Sequence, residues 1–275
     1  MGISGKRARR SGRPLSAKVI GSAVAISAAS LGMLPMLASA TSISYTANSL
    51  GYDVSWPNCS AEPPSSPTVA FAIVGIGGGR PFTMSSCAGP EYNTAVNNLG
   101  AANVSLYFNT GYSGAYARNI TAGCTNFVTG DTWPYSGTDP FVGLKGHQLS
   151  QAEQAWEMGC SEAQYAYANA PSKTTFWWAD VETGNSWSAN TTLNQFTIDG
   201  MSYAMNYLDG TSGGIYSDTS SWIKLTGSPS FSPTPPAATW AAQGTCGTAS
   251  FTTTAPLVVQ NTSFDSGLID GDTAC

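Results

Sequence analysis

The chain has 275 residues, only 10% of them charged, and a formal net charge of −5. Six of its eleven Lys and Arg fall within the first 18 residues, so beyond residue 40 five cations stand against sixteen carboxylates, a net charge of −11. A surface that acidic excludes nucleic-acid and anionic-membrane binding, which need basic patches.

The chain opens with Lys6, Arg7, Arg9, Arg10, Arg13 and Lys18, continues through an apolar, Ala/Ser-rich stretch from Val19 to Leu37, and reaches Ala38-Ser39-Ala40. That order of regions reads as a secretory signal peptide over residues 1–40, cut before Thr41. An uncleaved anchor is the alternative, because the apolar stretch is near spanning length. Arg9-Arg10 leaves Sec and twin-arginine export both open. No later apolar run is long enough to span a bilayer. The 235 residues from 41 to 275 are read as one domain. It is expected to be secreted, monomeric and free of membrane contact, with cell-wall association left open.

All six cysteines lie in that part: Cys59, Cys87, Cys124, Cys160, Cys246 and Cys275. An even number in an exported chain reads as three disulfides, with fifteen pairings available. The sequential one, 59–87, 124–160 and 246–275, is favoured because it staples neighbouring loops. No C-x-x-C or His/Cys cluster points to zinc, so neither metal nor cofactor is expected. The single histidine, His147, falls in a polar stretch without a Ser-His-Asp arrangement around it.

In chain order, Leu50 to Trp56 alternates as a first strand with Asp53 near its end, and Pro57-Asn58 breaks it. Val69 to Ile76 is a buried second strand. It runs into Gly77-Gly78-Gly79-Arg80-Pro81, which lacks the Lys-Ser/Thr of a phosphate loop and the glycine offset of a dinucleotide fingerprint. A tight loop with close backbone approach fits better. A short helix over Pro90 to Leu99 and a third strand over Val104 to Asn109 follow. Residues 111–147 read as a long loop. Ser150 with Glu153 is a capping-box pattern that opens a helix running to about Asn169. Pro171 ends it.

Thr174 to Glu182 reads Thr-Thr-Phe-Trp-Trp-Ala-Asp-Val-Glu. In a strand, Phe176, Trp178, Asp180 and Glu182 share one face, and Trp177, Ala179 and Val181 the other. Two apolar faces imply burial on both sides, as in a parallel α/β sheet. The acids then sit at the carboxyl end, where such folds bind ligands, at a solvent-accessible mouth. The ordinary alternative is a strand end running into a polar loop.

A helix from about Asn190 to Leu208, a strand over Gly213 to Ser217 and a short helix from Asp218, its cap, to Leu225 come next. After residue 226 only short apolar runs remain: 239–242, 257–260 and 268–270. The fold class is therefore α/β: an irregular TIM-type barrel of eight strands, with strand–helix units first and helix-poor strands last. In a barrel the first and last strands are neighbours. Asp53, Asp180, Glu182, Asp270 and Asp272 would converge on one mouth, a crowding of like charge that points to chemistry.

Gly51-Tyr52-Asp53-Val54-Ser55-Trp56, Asp180-x-Glu182, Gly214-Ile215-Tyr216-Ser217, and Gln260 followed by Ile269-Asp270 together resemble glycoside hydrolase family 25, the Chalaropsis-type lysozymes or N-acetylmuramidases. More narrowly, they resemble the lysozyme-like domain of secreted actinobacterial proteins described as glycoside-hydrolase-like. The resemblance covers most of residues 50–275. It implies Glu182 as general acid and Asp180 as the group that assists the 2-acetamido substituent or stabilises the oxocarbenium-like state. Asp53 and Asp270, with Asp272 as the alternative last-strand acid, would tune and orient. Tyr107 and Tyr216 would line the cleft. The third strand departs from the family, with Leu106-Tyr107-Phe108-Asn109 where Tyr-His-Phe is usual. The 111–147 insert and the six cysteines are also untypical. The function expected is cleavage of peptidoglycan or a related amino-sugar polymer. The alternatives are a carbohydrate- or cell-wall-binding domain with a relic site, or a structural secreted scaffold.

Overall fold

The computed structural model describes residues 43, 45–56, 58–59, 62–64, 68–128, 139–174, 176–207, 211–234, 237–248, 250–264 and 269–275. The expected signal peptide, residues 1–40, lies outside the described residues.

Eight strands close into a barrel: β1 (Leu50–Val54), β2 (Phe71–Gly75), β3 (Val104–Asn109), β4 (Phe176–Asp180), β5 (Ser212–Ser217), β6 (Ala238–Ala241), β7 (Val258–Phe264) and β8 (Ile269–Ala274). β1 to β7 pair in parallel, and β8 runs antiparallel to both β7 and β1. Among the described residues five α-helices punctuate the first part: α1 (Ala88–Leu99), α2 (Ala122–Val128), α3 (Gly146–Asn169), α4 (Thr191–Tyr207) and α5 (Thr219–Thr226). Among the described residues no helix follows Thr226, as the sequence pattern implies. A parallel return needs a long crossover, whereas antiparallel strands join by a short link. The four residues between β7 and β8 allow only the second. No helix among the described residues is long and apolar enough to cross a membrane.

The strand period divides the apolar residues into two cores. Trp177, Ala179 and Val181 pack outward with Tyr52, Val74, Leu106, Ile215 and the helices. Phe71, Ile73, Phe176, Trp178, Trp240 and Val258 fill the barrel interior. Trp178 and Trp240 are almost wholly buried and meet edge to face at 5.8 Å. Burying a ring system of this size is worth roughly 4–6 kcal/mol before entropy is counted. Inside, rings lie over glycines: a Cβ on Gly51 would fall 2.4 Å from the Phe71 ring, and one on Gly75 2.7 Å from Tyr107 Cζ. Outside, α3 and α4 touch backbone to backbone. A Cβ on Gly159 would fall 1.9 Å from the Thr197 oxygen, and one on Gly200 2.0 Å from the Trp156 oxygen.

The three disulfides are Cys59–Cys87, Cys124–Cys160 and Cys246–Cys275, the sequential set. Asp218 caps α5, accepting from the Ser220 and Ser221 N–H groups at 2.7 and 2.9 Å, and Gly227 closes it at φ +74°. Two expectations are corrected. The capping box at Ser150 does not form, because α3 begins a turn earlier, at Gly146. Ser150 Oγ instead donates back to the His147 carbonyl at 3.0 Å. The stretch 111–147 is not simply a loop either. It carries a 3-10 turn (Gly114–Asn119) and α2, which Cys124 bonds to Cys160 on α3. Its residues 129–138 lie outside the described residues.

Candidate active site

The carboxyl ends of β1, β3, β4 and β5 and the antiparallel β8 place the polar groups of the mouth. Asn109, Asp180 and Tyr216 form one row across β3, β4 and β5. Asp53 stands opposite Asp270 across β1 and β8. The inward face of β4 carries Phe176 and Trp178 deep in the barrel, then Asp180 at the last strand position, with Glu182 two residues beyond.

Asp180 is 7% exposed and Glu182 only part-buried. The expectation that both carboxylates stand in solvent therefore holds for Glu182 and not for Asp180, which the barrel wall covers. Asn109 Nδ2 donates to Asp180 Oδ2 at 2.6 Å, and the Thr110 hydroxyl donates to the Asp180 carbonyl. Asp180 Oδ1 is buried with no hydrogen-bond partner among the described residues. Asp53 is also buried, and its Oδ2 accepts Gln260 Nε2 at 2.8 Å. The Gln260 Oε1 in turn accepts the Tyr216 hydroxyl at 2.9 Å. A register shift between Gln260 and Thr262 bends β7 beside this contact.

Asp270 is exposed at the rim, whereas Asp272 is fully buried and accepts Trp240 Nε1 at 2.8 Å. The two candidates for the last-strand acid thus occupy different depths, and Asp272 is a floor group. Tyr107 and Tyr216 are part-exposed, and both rings rest against Trp240, at 5.8 and 4.3 Å between centroids. The glycine run beside β3 makes the close approach its sequence implies: a Cβ on Gly77 would fall 2.4 Å from Asn109 Oδ1.

These carboxyls raise one another's proton affinity. Asp180 is pushed above the usual carboxylate range by burial and by the Glu182 charge, against the opposing Asn109 hydrogen bond. Burial also raises Asp53, with the Gln260 hydrogen bond opposing it and the charges of Asp270 and Glu182 adding to the rise. Glu182 is raised by burial and by Asp218, and Asp270 by burial. A group of this kind titrates jointly rather than one residue at a time.

Asn109, Gln260 and Trp240 were not singled out from the sequence as contacts of the acids. Asn109 had a legible signal: it is two residues from Tyr107 at a strand's carboxyl end, so it shares the inward face. Gln260 entered the sequence reading only through the resemblance, and Trp240 had no signal, since only barrel closure brings β6 and β7 to β1 and β8.

A closed, irregular TIM-type barrel with carboxyl groups gathered where its strands end is the class of fold this chain defines. Its sequence matches no family model and no curated protein sequence. Among solved structures it is similar to a muramidase from Trichobolus zukalii, at 15% identity over 82% of this chain and 93% of that one, with a TM-score of 0.51. It is likewise similar to a family GH25 lysozyme from Aspergillus fumigatus, at 13% identity over the same shares and a TM-score of 0.52. The likeness is one of fold: the chain has a family 25-like barrel.

Proposed function

We propose that the chain is a secreted glycoside hydrolase of muramidase type that cleaves glycosidic bonds in peptidoglycan or a related amino-sugar polymer. The observation that carries this reading is the convergence of Asp53, Asp180 and Glu182 on one barrel mouth, close enough to raise one another's pKa. Glycoside cleavage needs one protonated and one ionised carboxyl group beside the bond. Glu182, part-exposed and with raised proton affinity, suits the donor to the leaving oxygen. Asp180 is the candidate ionised partner: Asn109 donates to it and opposes the rise that burial and the Glu182 charge impose, so it carries its charge only above its raised pKa. Its unbonded Oδ1 is available to an acetamido N–H or to the developing positive centre. Asp53 and Asp270 tune the charge of the mouth, and Tyr107 and Tyr216 offer ring faces to a sugar. Three disulfides support an extracellular setting.

The test is digestion of purified peptidoglycan by the mature protein, with released muropeptides read by mass spectrometry. Release of fragments that depends on Glu182 supports the hydrolase. Retention on peptidoglycan without release replaces it with a wall-binding domain on the same barrel.

A further inference from the structure

Glu162, in the middle of α3, is only 2% exposed. Its Oε2 accepts the Gly111 N–H at 3.3 Å, and its Oε1 is buried with no hydrogen-bond partner among the described residues. It lines one small cavity together with Asn109, Ile76 and Phe108. A carboxyl group is a costly side chain to bury at a helix position that an apolar residue could fill. What it holds there is the turn that leaves β3.

Residues 109–112 form a strap across β4 and the loop after it. Asn109 Nδ2 donates to the Asp180 carboxylate at 2.6 Å. The Thr110 hydroxyl donates to the Asp180 carbonyl, as does the Thr110 N–H at 3.3 Å. The Tyr112 N–H donates to the Ser186 carbonyl at 2.7 Å. Ser186 belongs to the loop that carries Glu182, whose carbonyl accepts Trp187 Nε1 at 2.8 Å and the Asn185 N–H at 3.4 Å. Gly111 is wedged between neighbouring loops: a Cβ there would fall 2.7 Å from the Ser186 oxygen and 3.2 Å from Pro81 Cγ. Its N–H points the other way, to α3. We propose that Glu162 is a positioning residue, anchoring the 109–112 strap to α3 through the Gly111 N–H so that the strap holds Asp180 and the Glu182 loop in register.

The base of the anchor is stiff. Two residues before Glu162, Cys160 is bonded to Cys124 of α2, and Ser161 Oγ accepts the Thr121 N–H at 2.9 Å. Three residues before it, Gly159 meets the backbone of α4 at Thr197. Gly111 is itself buried, so without Glu162 its N–H either stays unpaired or drags the strap out of place. Glu162 has almost no surface to offer a substrate, so its effect passes through the strap. As a contribution to turnover this rests on the hydrolase reading; as an anchor of Gly111 it does not.

The experiment compares the wild type with Glu162→Gln and Glu162→Met. Gln keeps an acceptor oxygen for Gly111, and because burial holds Glu162 well above the usual carboxylate range, its neutral amide is a close match. Met keeps the length and removes the acceptor. The first reading needs no substrate: amide hydrogen exchange of the folded mature protein, followed by NMR at Gly111 and Tyr112. Both amides should be protected in the wild type and in Glu162→Gln. In Glu162→Met they should exchange about 10-fold faster or more, while the Trp222 amide of α5 keeps its wild-type rate. A Gly111 amide unprotected in the wild type, or equally protected in all three proteins, overturns the anchor. Should Glu162→Met not fold, Glu162→Asp takes its place, since its carboxylate is one methylene short of Gly111. The second reading is turnover of solubilised peptidoglycan. In the acceptor-less variant kcat should fall by about 10–100-fold with KM within about two-fold of wild type, and Glu162→Gln should restore the rate. A folded acceptor-less variant with the wild-type kcat overturns the positioning role. A wild type that releases no muropeptides removes the hydrolase reading, and the exchange rates still decide the anchor.

Discussion

Asn109 and Asp180 are register partners on adjacent parallel strands, and the Asn109 amide donates to the Asp180 carboxylate at 2.6 Å. Among the described residues it is the one side chain that bonds the Asp180 carboxylate and favours its charged form, against burial and the neighbouring Glu182 charge. A hydrogen bond to a charged group is worth about 1.5–3 kcal/mol. Asn109→Ala should therefore slow glycan cleavage by roughly 10–100-fold. Removing the donor raises the Asp180 pKa further, so the acid limb of the pH–rate profile should move to higher pH. An unchanged acid limb in the variant would separate Asp180 from the rate.

Glu182→Gln keeps the side-chain shape and removes the acid proton. Cleavage should fall by at least about 100-fold while peptidoglycan binding persists. Asp180→Asn should also lose turnover. Because burial raises the Asp180 pKa, its charge is costly at neutral pH, and the amide should leave the thermal midpoint equal or higher. In the wild type, activity should fall above the Glu182 pKa and below that of Asp180. Both are raised, so the bell should sit above the ordinary carboxylate range. Turnover of each variant across pH, beside its melting curve, decides; wild-type rates in both would remove these two residues from the mechanism.

Stability should also decline with rising pH. Asp199 on α4 is buried, accepts the Thr234 N–H at 2.8 Å, and is pushed up to about 7 by burial. Between its unfolded pKa near 4 and that value, the folded chain binds more protons than the unfolded one. Its contribution is thus complete in acid and lost as pH rises through the folded pKa, by about 1.4 kcal/mol per pH unit for each such proton. Glu162, wholly buried on α3, acts in the same direction. The thermal midpoint should drop by several degrees from pH 5 to pH 8. Asp199→Asn, which still accepts from Thr234, should flatten that slope; a variant with the wild-type slope would place the titration elsewhere.

The sequence carries the strand–helix alternation, both faces of β4 and the sequential disulfides, because each rests on a local period or spacing. The burial of Asp180 was not legible. A strand's carboxyl end tells which acids share a face, while their depth depends on how far the neighbouring strands extend. Asp270 and Asp272 show the same limit: two residues apart on one face, one reaches the rim and the other lies on the floor. The capping box at Ser150 failed because residues 146–149 are also able to be helical, and a cap motif cannot exclude an earlier start. The partners of Asp53 lie more than 200 positions away, so no local pattern records them.

The floor of the site gives the last test. Gly214 is on the inward face of β5, and a Cβ there would fall 2.3 Å from Trp178 Cζ3 and 3.0 Å from the Ala238 carbonyl oxygen. Neither neighbour yields easily. The second is strand backbone, and Trp178 is fully buried, with its Nε1 donating to Ser105 Oγ at 3.1 Å and its ring against Trp240. Overpacking of this kind costs about 1–3 kcal/mol, which lowers the midpoint of a chain this size by about 2–4 °C for each kcal/mol. Trp240 supports both Asp272 and the Tyr216 ring, so Gly214→Ala should reduce turnover as well as stability. Gly89 in α1 is the matched control: nothing lies within 4 Å of a Cβ built there, and Gly89→Ala should be neutral or stabilising by up to about 1 kcal/mol. If the two variants melt together at the wild-type midpoint, Trp178 has room to move and does not hold the mouth in place.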